Sequence, residues 1–151
     1  MKNIKTIGVC FLAIALLLAT LSAGANERDI IQIRDRMFIQ QFFDIHINTD
    51  EYLGKTVRLE GIYGEAPNPA GGEPTRFVYR RAPGCCGDDG MVRFLVLLGD
   101  CPAPEPNAWV EATGKVDVIA SEKDANVKLV VLRLSSLRVL ETRGREFVTL
   151  W

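Results

Sequence analysis

Histidine is nearly missing from this chain: its 151 residues include one, His46. There is no second imidazole to form a base pair or a two-histidine metal site. The chain also has no G-x-S-x-G elbow, no phosphate-cradling glycine loop and no H-E-x-x-H. A Cys86 nucleophile with His46 as its base is conceivable, but nothing in their spacing orients one towards the other. A non-catalytic role is therefore expected. An excess of positive charge is missing too. The formal net charge is -1, and without the N-terminal Lys2 and Lys5 the rest carries 16 basic against 19 acidic residues. Nucleic-acid grooves need positive potential with stacking aromatics, so no nucleic-acid partner is expected. At 48% hydrophobic and 25% charged, the composition is that of an ordinary globular domain with its own core.

No apolar run reaches the roughly 20 residues of a stable membrane-spanning helix. The longest, Ile7 to Leu21, follows Lys2 and Lys5 and precedes the small residues Ser22-Ala23-Gly24-Ala25. That arrangement predicts a signal peptide over residues 1–25, cut after Ala25, and a mature protein in the periplasm or secreted, with no stable transmembrane span. Residues 26–151 then form a single domain, a natural size for one core. Cys10 leaves with the signal, so Cys85, Cys86 and Cys101 remain where disulfides can form. One disulfide would leave a thiol over, which points to reactivity, a metal or an intermolecular partner.

The segment Asp29 to Asn48 is rich in Ile, Met and Phe without a clean period, and is expected to be part extended and part helical. A helical turn follows, with Thr49 placed to cap its start and Gly54 its end. Lys55 to Tyr63 alternates, with Val57, Leu59 and Gly61 on one face, and predicts a strand. The breakers between Ala66 and Pro74 make a loop. Four further strands are expected at Arg76 to Ala82, Met91 to Leu98, Trp109 to Ile119 with a bulge at Gly114, and Val127 to Leu140. Val92, Phe94, Val110 and Val116 should face a common core, and Phe77 and Trp109 should anchor it. Arg80 and Arg81 read as solvated. The fold class expected is mainly β: a small five-stranded antiparallel OB-like barrel with a short N-terminal helical or extended segment, with a half-open β-sandwich as the alternative.

Several landmarks occur in order: Asn48-Thr49-Asp50-Glu51-Tyr52-Leu53-Gly54-Lys55, Glu60-Gly61, Phe77 with Arg80, Cys85-Cys86-Gly87-Asp88-Asp89, and Trp109-Val110 with Thr113-Gly114. In these the sequence resembles the soluble C-terminal domain of an uncharacterised bacterial membrane-protein family associated with predicted permeases, and its CC-x-x-D element is the most specific feature. The resemblance implies transport or metal homeostasis rather than catalysis, with a membrane permease or another envelope protein as partner.

Gly84 to Gly90 lies where a hairpin connection is expected. Adjacent side chains on a regular strand point to opposite faces, so two neighbouring cysteines converge on one ion only if flanking glycines let the loop curl. Cys85, Cys86 and Asp89 would then supply two thiolates and a carboxylate to a thiophilic divalent ion, with zinc first on ligand type. Cys101, His46 or water could be the fourth ligand. Two alternatives stand beside this reading. Cys85 or Cys86 could bond to Cys101 in a disulfide that staples a structural or protein-interaction module, or the thiols could serve thiol exchange. His46 by itself reads as a surface residue, and Asp88-Asp89-Gly90 first as a turn signal.

Overall fold

The computed structural model describes residues 29–150 apart from 69–70, 86 and 122–123, and for residues 87–89 the backbone alone. The expected signal peptide, its cleavage point and Cys10 lie outside the described residues. Asp29 to Asn48 is part strand and part helix, as its mixed pattern suggests. Strand β1 (Ile30–Ile33) leads through a 3-10 turn (Asp35–Met37) into helix α1 (Phe38–Ile47). A second short helix, α2 (Thr49–Tyr52), ends at Gly54, whose φ of 76° is the left-handed conformation that glycine enters without steric cost. The hydroxyl of Thr49 does not cap α2. It donates back to the Ile45 and His46 carbonyls, tying the two helices together.

Five longer strands follow: β2 (Thr56–Ala66), β3 (Thr75–Gly84), β4 (Gly87–Leu97), β5 (Trp109–Ala120) and β6 (Lys128–Val139). They form a six-stranded sheet in the order β1-β2-β3-β4-β6-β5, and β5 pairs again with β2. The sheet is mixed, which corrects the expectation of five strands all antiparallel. Ile30–Ile33 joins as a sixth strand parallel to β2, and β6 lies parallel to β4. The second parallel pairing follows from the long proline-containing connection after β4. It carries the chain away from β4, so β5 pairs with β2 and β6, and β6, reversing β5, comes to lie beside β4 in the same direction.

Strand β2 is shared out along its length. Its first part, Thr56–Leu59, has β5 on one edge and β1 on the other, while its last part, Ile62–Ala66, pairs with β3. Beyond Tyr79, β3 therefore diverges from β2, and the chain near its C-terminus fills part of the gap. Arg81 N donates to Glu146 O at 2.8 Å, and Val148 N donates to Arg81 O at 2.9 Å.

Alternation puts Val92, Phe94, Val110 and Val116 in the buried core, as expected, together with Val57, Leu59 and Leu132. Helix α1 packs on β4 through Phe38 and Phe42, whose rings meet Phe94 edge-on at 6.0 and 5.1 Å. Trp109 and Phe77 are buried as well.

Candidate functional site

The cysteine hairpin is tighter than its sequence suggests. Gly84 pairs with Gly87, so Cys85-Cys86 alone connects β3 and β4, and residues read as loop up to Gly90 already belong to β4. The register then shifts. Ala82 faces Gly90, which leaves Asp88-Asp89 opposite Pro83 alone, a β-bulge. Pro83 has no N–H to give to a ladder and suits an interrupted position. Gly90 is held at the bulge by close backbone approach, since a Cβ there would fall 2.8 Å from Ala82 O and 2.9 Å from Pro83 O.

Cys85 is exposed at this turn. Cys86 lies outside the described residues, as do the side chains of Asp88 and Asp89. The two protein groups considered as a fourth ligand lie elsewhere. Cys101 follows the opposite end of β4, half-buried against the core with a free thiol. Eleven residues of strand separate it from the hairpin, roughly 30 Å at the usual rise per residue, whereas bridged cysteines have Cα atoms less than about 7 Å apart. A staple from Cys85 to Cys101 therefore has no place in this fold.

His46 is half-buried rather than a surface residue. Its Nδ1 is 2.8 Å from Phe42 O, and its ring packs on Phe42 and Phe94 at 4.0 and 5.9 Å. Phe94 stands seven positions along β4 from Gly87, roughly 20 Å from the hairpin. Burial pushes the His46 ring below its ordinary pKa, against a smaller upward pull from the Phe42 carbonyl.

A second polar centre occupies the gap where β3 leaves β2. Arg80, read from sequence as solvated, is 1% exposed and is the buried charge of the described core. Its Nε donates to Glu60 O at 2.6 Å, its Nη1 donates to Arg145 O, and its Nη2 meets Asp35 Oδ1 at 3.0 Å. The guanidinium lies 4.4 Å from the Trp109 ring centre and 5.2 Å from that of Phe38, both within cation–π range. Trp109 in turn donates Nε1–H to Glu60 Oε2 at 3.3 Å. Burial works against the charge of Arg80, and Asp35 and Glu60 support it. One side chain thus ties together β2, β3, the turn before α1 and the chain near the C-terminus. A sequence signal for this existed: Arg80 falls between Val78 and Ala82 on the inward face of an alternating strand.

These features define a mainly β domain with a cysteine turn at one hairpin and a buried arginine at a break in the sheet. The chain belongs to the family described as the DUF1980 C-terminal domain, whose model matches residues 18–148. This agrees with the family resemblance carried by its motifs. No curated protein matches the chain.

Proposed function

We propose that the mature chain is an exported, non-catalytic binding module of OB-like fold. Its β3–β4 hairpin handles zinc through Cys85, Cys86 and Asp89, in the service of a permease or another envelope protein. The reading of the fold as OB-like is supported by the order of pairings, which runs from β2 through β3, β4, β6 and β5 back to β2. The observation that carries the metal reading is the two-residue turn backed by a bulge. The turn takes the two cysteines out of strand alternation and the bulge interrupts it at Asp88-Asp89, which removes the main obstacle to convergence of neighbouring ligands. With Cys101 and His46 distant, water completes a tetrahedral zinc site.

Calorimetric titration of the reduced mature protein tests this. About one zinc per chain is expected for this three-ligand set. Cys85→Ser and Cys86→Ser should each weaken binding severely, Asp89→Asn less, while Cys101→Ser and His46→Gln should leave it intact. Absence of zinc binding, or unchanged binding by Cys86→Ser, would remove the reading.

A further inference from the structure

A cavity of about 680 Å³ opens over Arg80, lined by Ile33, Arg34, Asp35, Arg36, Met37 and Glu60 among others. This size falls within the usual range of small-molecule sites. The geometry points to a binding site for a small carboxylate with an apolar body, in which the Asp35 carboxylate stands where the ligand's would. The site is distinct from the cysteine hairpin and does not depend on zinc binding there.

The guanidinium is fixed in orientation before any ligand arrives. Two aromatic rings flank it, and the Glu60 and Arg145 carbonyls hold Nε and Nη1. Those carbonyls accept hydrogen bonds but bring no charge. Among the described residues, the carboxylate in contact with Arg80 is that of Asp35, which comes from a three-residue 3-10 turn and has a side chain 47% exposed. Nη2, the nitrogen that those carbonyls leave over, is the one that meets Asp35, and a fixed, desolvated guanidinium loses little further freedom on binding a carboxylate there. Asp35 can give way because its side chain already reaches water and the incoming carboxylate takes over its charge opposite Arg80. Arg34, Arg36 and Arg80 outweigh Asp35 and Glu60 around the cavity by one positive charge, which favours an anion. Met37, half exposed beside the cavity, offers the ligand's body an apolar surface.

Trp109 stacks on the guanidinium and provides the readout. In a Trp151→Phe background it is the remaining tryptophan of the two, so its fluorescence can be followed as butyrate, acetate or inorganic phosphate is added to the mature protein. Butyrate should give a saturable change, stronger than acetate. Asp35→Asn, which removes the internal competitor's charge, should bind butyrate several-fold more tightly. Arg80→Lys should weaken binding by about tenfold or more, because a compact ammonium on a flexible stem cannot meet both carbonyls and still hold a donor at the place of Nη2. A flat response in both the parent and Asp35→Asn would overturn the site, and so would undiminished binding by a folded Arg80→Lys. Preference for phosphate over butyrate would overturn the carboxylate assignment. Because Asp35 is half exposed, Asp35→Asn keeps the test decisive even if Arg80→Lys fails to fold. Cys85→Ser should bind butyrate as the parent does, which separates this result from the fate of the zinc proposal.

Discussion

Arg80 shows how a single side chain can hold a discontinuity in a sheet. Where β3 leaves β2, backbone groups lose their ladder partners, and a buried carbonyl without a donor is costly. The guanidinium supplies donors to Glu60 O and Arg145 O at that place. Arg80→Met should therefore lower stability by about 3 kcal/mol or more, since it strands both carbonyls, whereas Asp35→Asn should cost about 1 kcal/mol because Asp35 is half exposed. Urea unfolding of the two variants checks both figures. Isolated arginines are usually solvated, a composition rule that here yields to the strand's inward period.

His46 gives a residue-scale prediction with a definite sign. Burial places its folded pKa below the ordinary value of 6.5, so the unfolded chain takes up the proton at higher pH than the folded one. Its contribution is full above about pH 6.5 and is lost as pH falls through the lowered folded value. An NMR titration of the single imidazole should show the depressed value. Comparison of urea midpoints at neutral and mildly acidic pH should show a smaller loss for His46→Phe than for the parent. An imidazole titrating at or above 6.5 would contradict the packing of its ring on Phe42 and Phe94.

Among the elements, β2, β3, β5 and β6 were legible from alternation and breakers, and a register shift does fall at Gly114, but its extra residue belongs to the neighbouring strand: Thr113 faces Ser136 and Gly114 faces Leu134, which leaves Ser135 of β6 over. Position 114 has to be glycine because the neighbouring strand passes too close, with a Cβ falling 2.5 Å from Arg133 O and 2.9 Å from its carbonyl carbon. Gly114→Ala should cost about 1 to 3 kcal/mol, since backbone rather than a flexible side chain would have to move. Thermal unfolding will show the loss, and an unchanged midpoint would mean that β5 and β6 can separate there freely. The start of β4 was not legible. Gly87-Asp88-Asp89-Gly90 has the composition of a turn, but pairing with β3 draws it into the strand and shortens the loop to Cys85-Cys86. The cysteine pair was legible as a candidate from its composition. The distances that exclude Cys101 and His46 from it depend on Cys101 following the far end of β4 and on α1 packing His46 against Phe94, which local patterns do not encode.

For the molecule as a whole, sequence periodicity gave the mainly β class but not strand direction. Parallel or antiparallel pairing depends on where a connection returns the chain, and alternation is the same in both cases. The gap between β2 and β3 has to be filled from both ends of the described chain, by β1 and by Arg145 to Val148. Deletion of residues 142–151 removes the Arg145 carbonyl, the Arg81–Phe147 bridge and the fully buried Val148. The shortened protein should unfold at lower urea concentration than the parent, with Arg81 and its neighbours losing amide protection first. Equal stability would mean that the terminal segment only lies on the surface.

The functional account rests on the ligand set of the β3–β4 hairpin, and X-ray absorption at the zinc edge reads that set directly on reduced, zinc-loaded mature protein. Two sulfur scatterers at about 2.3 Å with the remaining positions oxygen, and loss of one sulfur in Cys86→Ser, are the expected result. A shell of oxygen and nitrogen alone, or a sulfur count unchanged in Cys86→Ser, would contradict it.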